Sequence, residues 1–122
     1  MASKKILLVE DNEVNMRLVK LTLKNQQYEF IEATNGEDAI ELADEHKPDL
    51  IILDIQLPKM DGYEVARVLK SKESLRNIPI IALTAHAMKG DEERVLSAGC
   101  DAYVSKPLDT NKFRGLVKSY LQ

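Results

Sequence analysis

Five side chains whose chemistry suits metal and phosphate stand where short apolar runs end. Glu10 and Asp11 follow Ile6–Val9, Asp54 follows Leu50–Leu53, Thr84 follows Ile80–Leu83, and Lys106 stands just past Ser105 at the end of Ala102–Val104. Three carboxylates brought to one edge repel one another and acquire raised pKa values unless a cation sits among them. A hard divalent ion answers that need. Mg²⁺ prefers oxygen ligands in octahedral geometry, keeps several waters, and takes one or two carboxylates together with phosphate oxygens. Asp11 and Asp54 are expected as direct ligands, Glu10 directly or through water, and Gln56, just past the third run, through its backbone carbonyl.

With a cation beside it, Asp54 becomes a candidate nucleophile, because a carboxylate can form an aspartyl phosphate. Phosphoryl transfer is catalysed mainly by positioning and by countering charge on the equatorial oxygens of the transferred group. The cation can take one such oxygen, the Lys106 ammonium a second and the Thr84 hydroxyl a third. No general base is required if Asp54 attacks as an ionised carboxylate.

The elements that must bring these residues together are written in the apolar rhythm. The runs Ile6–Val9, Phe30–Ala33, Leu50–Leu53, Ile80–Leu83 and Ala102–Val104 alternate with longer amphipathic stretches, the pattern of repeated βα units. Leu50–Leu53 and Ile80–Leu83 are apolar at successive positions, as strands of a parallel sheet buried on both faces must be. In the first helical stretch Val14, Leu18 and Leu21 fall at i, i+4 and i+7 and are expected to lie on the sheet. Phe113, Leu116, Val117, Tyr120 and Leu121 do the same in the last. Turn and cap chemistry punctuates the boundaries at Asn35-Gly36, Lys47-Pro48-Asp49, Pro58, Asp61-Gly62, Asn77-Ile78-Pro79, Gly99 and Pro107. Right-handed crossovers turn five βα units into an open, doubly wound α/β sheet whose sites form beyond the carboxyl ends of its strands.

Composition narrows the classes. At 122 residues the chain supports one hydrophobic core, so one domain over 1–122 is expected and a multidomain enzyme is excluded. Seventeen Lys and Arg against 20 Asp and Glu leave a formal charge of −3, no footprint for direct nucleic-acid binding. The single cysteine, Cys100, precludes an internal disulfide and a multi-cysteine metal site, in keeping with a reducing cytoplasm. No apolar run approaches the roughly 20 residues of a membrane span, and Glu10-Asp11 cuts the first run before it can serve as a signal peptide.

Val9-Glu10-Asp11-Asn12, Leu53-Asp54 with Pro58 and Gly62 following, Leu83-Thr84-Ala85 and Ser105-Lys106-Pro107 together resemble the receiver domain of two-component response regulators, over essentially the whole chain. The stretch from Thr84 to Glu93 further resembles single-domain regulators of the DivK type and the receivers of hybrid histidine kinases. The resemblance implies a flavodoxin-like, CheY-like five-stranded sheet of order 2-1-3-4-5, an order the chemotaxis receiver exemplifies. It implies that Asp54 accepts phosphate from a histidine kinase or a histidine phosphotransferase with Mg²⁺ present, and that Thr84 and Tyr103 move on activation. Phosphate on Asp54 would draw the Thr84 hydroxyl inward, vacating space for the Tyr103 ring. The fourth helix, fifth strand and fifth helix would then present an altered surface to a downstream protein effector, as a monomer or a weak phosphorylation-dependent dimer. Gln56 and His86 occupy the family's tuning positions, and Lys106-Pro107 resembles its cis peptide.

Simpler readings stand beside these. Asp11 or Asn12 can cap the first helix, Thr84 can cap the helix after it, Asp61 and Asp109 read as caps, and Tyr103 as a sheet aromatic. Cys100 reads as an inert buried thiol, His46 as a surface residue, and Lys112, Arg114 and Lys118 as a solvated helix face. A phosphatase of the haloacid dehalogenase class would need a second carboxylate where Gln56 stands. A flavin or nucleotide module would need a Gly- or Ser/Thr-rich loop where Glu10-Asp11-Asn12-Glu13 stands. The favoured reading is a stand-alone regulator with no enzymatic output of its own; the alternative is an excised hybrid-kinase receiver that passes phosphate to a histidine phosphotransferase.

Overall fold

Parallel pairing and period-two alternation account for the architecture. A computed structural model describes residues 3–24, 27–57, 60–84, 89–106 and 108–121. The elements run β1 (Lys4–Val9), α1 (Glu13–Leu23), β2 (Tyr28–Ala33), α2 (Gly36–His46), β3 (Leu50–Asp54), α3 (Gly62–Ser71), β4 (Ile80–Thr84), α4 (Lys89–Ser97), β5 (Ala102–Ser105) and α5 (Thr110–Leu121). The five strands form one sheet in the order β2-β1-β3-β4-β5, every neighbouring pair parallel. All five apolar runs are strands of this sheet, with β1 and β2 each beginning two residues earlier than the runs that announce them.

Alternation divides the core into two layers. Ile6, Leu8, Leu50, Ile52, Ile81 and Leu83 face Met16, Val19 and Leu23 of α1 and Phe113, Val117 and Leu121 of α5. Their neighbours Leu7, Val9, Ile51, Leu53, Ile80 and Ala82 face α2, α3 and α4. Every β3 and β4 residue is buried, which explains why both runs lack polar alternation. The expected α5 face is the one found, with Leu116 and Tyr120 packed at its margin.

The expected α1 face is not the one found. Val14, Leu18 and Leu21 are 73%, 49% and 63% exposed, and Met16, Val19, Thr22 and Leu23 are buried instead. Two interleaved stripes of helical spacing run along this segment, and periodicity alone does not choose between them. The deciding feature is phase. Asn12 caps the helix by accepting the Asn15 N–H at 3.0 Å, fixing its start so that Met16 and Val19 meet Ile6 and Leu8. Thr22 tolerates burial because its hydroxyl donates to the Leu18 carbonyl at 2.8 Å.

The turn chemistry does what its residues suggest. Asn35 caps α2, Asp61 caps α3 and Asp109 accepts the Lys112 N–H at the start of α5. Gly62 follows Asp61 because α3 begins hard against the strand edge: a Cβ there would lie 2.5 Å from Ile55 Cα and 2.8 Å from the Asp54 carbonyl oxygen. Its N–H donates to the Ile55 carbonyl at 2.9 Å, closing the loop beside Asp54. Among the described residues no helix is long and apolar enough to cross a membrane.

Candidate functional site

Strand register carries the chemistry to one edge. Val9 pairs with Leu53, Asp54 with Leu83, and Thr84 with Ser105, so the residues that end β1, β3, β4 and β5 lie side by side at the carboxyl end of the sheet. Glu10, Asp54 and Thr84 are each 3% exposed there, and Asp11 is exposed. Glu10, Asp11 and Asp54 each offer a carboxylate oxygen, and these atoms all lie within 4.8 Å of one another.

The cluster is cross-linked by one ammonium. Lys106 Nζ stands 3.2 Å from Asp54 Oδ2 and 3.4 Å from Glu10 Oε2. The Lys106 backbone N–H donates to the Thr84 carbonyl at 2.8 Å, tying the lysine's backbone to β4. The other oxygen of Asp54, Oδ1, accepts the Gln56 N–H at 2.9 Å. Glu10 Oε1 accepts the Asn12 N–H at 3.1 Å and the Asn15 amide at 3.5 Å. The Glu10 pKa is raised from 4.5 to about 7, chiefly by burial and then by Asp54, against the opposing pull of Lys106 and the Asn12 N–H.

This donor set fits a hard divalent ion. Three carboxylates and one ammonium carry a formal charge of about −2 when ionised, all donors are oxygen, and exposed Asp11 leaves a way in from solvent. A cation here would oppose the upward shift that burial and Asp54 impose on Glu10.

Most residues singled out in the sequence meet here: Glu10, Asp11, Asp54, Lys106 and, on the adjoining strand, Thr84. Gln56 contributes its N–H to Asp54. Tyr103 is half-buried on β5 and packs with the layer of α2, α3 and α4. Thr84, two residues beyond Ala82 of that layer, lies on the same side by period two. Pro58, Ala85, His86 and Pro107 lie outside the described residues, as does the geometry of the Lys106-Pro107 bond. Cys100 is buried with its pKa pushed up to about 12, chiefly by burial, as an inert thiol should be. His46 ends α2, away from the cluster.

Two features escape a reading of the sequence. Asn15 reaches Glu10 because it stands one helical turn after the Asn12 cap, and that i+3 spacing was its signal. The contact of Arg94 with the Tyr63 ring joins residues distant in the chain and leaves no local pattern.

Two clefts flank the site. One, of about 350 Å³, runs between α1 and the segment after β5 and is lined by Asn15, Leu18, Val19, Leu83, Lys106 and Leu108. The other, of about 310 Å³, lies on the side of α3 and α4 and includes Gln56, Asp61, Tyr63, Thr84 and Arg94.

A five-stranded doubly wound sheet with a carboxylate cluster at the carboxyl ends of β1 and β3 and a lysine just past β5 defines a receiver-type α/β domain. The response regulator receiver domain model matches residues 6–118. The chain belongs to the response regulator receiver family. It is 52% identical over 118 residues, 97% of its own length and 96% of the relative's, to the polar-differentiation response regulator DivK of Brucella anthropi. It is 51% identical over 119 residues to DivK of Brucella ovis, covering 98% and 97% of the two chains. Among solved structures it is similar to the receiver domain of the sensor histidine kinase PA1611 from Pseudomonas aeruginosa PAO1, which has a magnesium ion coordinated in its active-site cleft. That likeness has a TM-score of 0.89 at 36% identity and covers 98% of both chains. The phosphorylated cyanobacterial phytochrome response regulator RcpA matches at a TM-score of 0.87 and 31% identity, over 99% of this chain and 96% of the other.

Proposed function

We propose that this chain is a single receiver domain acting in two-component signalling, with Asp54 accepting a phosphoryl group from a phosphohistidine in a Mg²⁺-dependent reaction. The observation that carries the reading is the placement of buried Asp54 within carboxylate reach of Glu10 and Asp11, with Lys106 Nζ at 3.2 Å. In the transfer an Asp54 carboxylate oxygen forms a bond to phosphorus, the P–N bond to the donor imidazole breaks, and the electron pair leaves with the imidazole, which takes up a proton. Asp11 and Asp54 would hold Mg²⁺ directly, Glu10 directly or through water, and Gln56 through its carbonyl; bound there, the ion supplies charge neutralisation at the phosphoryl oxygens. Lys106 turns from Asp54 to the incoming phosphoryl oxygen, and the Thr84 hydroxyl donates to another. Gln56 would tune the approach of water to the phosphoryl group, and His86 would share that role.

Movement of Thr84 toward the phosphoryl group would be felt at Tyr103, on the same side of the sheet, and so at the α4-β5-α5 surface that an effector reads. The donor is a histidine kinase or histidine phosphotransferase. The outward face of α1 supports a protein donor: Val14, Leu18 and Leu21 leave apolar area exposed, and Leu18 lines the cleft that includes Lys106. High identity to DivK supports a cytoplasmic regulator of polar differentiation. Incubation with acetyl phosphate, with and without Mg²⁺, followed by intact mass and peptide mapping, tests the reading.

A further inference from the structure

Among the described side chains of α4, those of residues 93–97, one is buried in the core. Val95 is the described α4 residue in the core, while Glu93 and Arg94 are exposed and Leu96 is 47% exposed. Beside this anchor, α4 meets α3 through a cation over a ring: Arg94 Cζ lies 4.2 Å from the centroid of the Tyr63 ring. The ring is a fixed platform. Tyr63 is 6% exposed and follows Gly62, whose close packing on Ile55 fixes the start of α3 beside Asp54. The guanidinium and the ring border the same cleft as Thr84 and Gln56, the residues next to the phosphorylation site. A shift of α4 driven from Thr84 therefore has to break or remake this contact.

We propose that the Arg94–Tyr63 contact is a latch that holds α4 against α3 while Asp54 is unmodified and so sets how readily the chain is phosphorylated, a reading that rests on Asp54 being the phosphoacceptor. The latch is a cation over an aromatic face at a partly exposed site, strong enough to bias a two-state helix and weak enough to yield to a charged phosphoryl group. Removing either half moves the population toward the released arrangement, with an expected change of about two- to fivefold in the equilibrium.

Hydrogen exchange read by mass spectrometry on the α4 segment tests this in the full chain, beside the rate of phosphoryl uptake from acetyl phosphate with Mg²⁺. Arg94→Gln and Tyr63→Leu remove the cation and the ring; Arg94→Lys and Tyr63→Phe keep them. The first pair should exchange α4 amides about two- to fivefold faster without donor and gain phosphate faster by a similar factor, and the second pair should match the parent chain. Because Arg94 is exposed, Arg94→Gln is expected to fold, and unchanged exchange in β1 and β3 would show that the effect is local. Unchanged α4 exchange in the first pair, or equally fast exchange in the second, would overturn the latch. Faster exchange with unchanged uptake would reduce the pair to a structural contact and also overturn the proposal. If no variant and no parent chain gains phosphate, the phosphoacceptor reading fails, and with it the latch's regulatory role, while the α4 exchange contrast still reports the contact itself.

Discussion

Lys106 Nζ lies 3.2 Å from Asp54 Oδ2, and the same ammonium lies 3.4 Å from Glu10 Oε2, so one cation from the end of β5 is shared by two buried carboxylates from β1 and β3. Each carboxylate side chain is only 4% exposed against 22% for the lysine. The lysine is thus a structural counter-ion in this fold, and its part in transfer is a separate question for experiment.

Lys106→Met should therefore act twice. Without metal it leaves two buried carboxylates uncompensated, a loss of about 3 kcal/mol at most near neutral pH, because Glu10 can take a proton instead. Added Mg²⁺ should restore much of that loss while phosphoryl uptake stays crippled. Thermal melts with and without Mg²⁺, set beside an acetyl phosphate assay, read both effects; uptake at the parent rate would remove Lys106 from the transfer step.

Glu10 should make Mg²⁺ binding pH-dependent. Its pKa is raised from 4.5 to about 7, so in the metal-free fold the protonated carboxyl's contribution to stability is whole below about 4.5 and lost as pH rises through about 7. A cation competes with that proton, so Mg²⁺ affinity should climb between about pH 5 and 8 and then level. Calorimetric titration across this range should show proton release on binding. Glu10→Gln should flatten the profile, and a profile as steep as the parent's would place the titrating group elsewhere.

Thr84 and Tyr103 should be separable from acceptance. Thr84→Ala removes a buried hydroxyl that ends β4 and leaves Asp54 and its carboxylate neighbours in place, so phosphorylation should persist at a reduced rate. The accompanying change at Tyr103 should shrink. Fluorescence of the ring, followed with the other tyrosines replaced by phenylalanine, checks this; equal changes in parent and variant would break the coupling between the two residues.

The two stripes of α1 predict opposite outcomes. Val19→Ser places a hydroxyl against Ile6 and Leu8 and should cost about 2–3 kcal/mol in a denaturant melt. Leu21→Ser, at a side chain 63% exposed, should stay within about 0.5 kcal/mol of the parent while slowing transfer from a protein donor more than from acetyl phosphate. Equal slowing for both donors would remove the α1 face from docking.

Much of this was legible in the residues. Unbroken apolar runs at Leu50–Leu53 and Ile80–Leu83 announced strands buried on both faces, and the residues closing each run announced the site, because a parallel sheet gathers strand ends whatever their separation in the chain. The burial phase of α1 was not legible, because Val14, Leu18 and Leu21 keep helical spacing as faithfully as the residues that pack. The partners of Glu10 were half legible: Asp54 and Lys106 follow from strand order, whereas Asn15 depends on where the helix is capped. The pairing of Arg94 with Tyr63 depends on how α4 meets α3, which no local spacing records.

The most direct test of the central claim is the mass of the chain after incubation with acetyl phosphate. One added phosphoryl group, dependent on Mg²⁺, mapped to Asp54 and absent from Asp54→Asn, is the predicted result. Phosphate retained on an aspartate in Asp54→Asn, or no adduct with either acetyl phosphate or the phosphoryl mimic beryllofluoride, would contradict it.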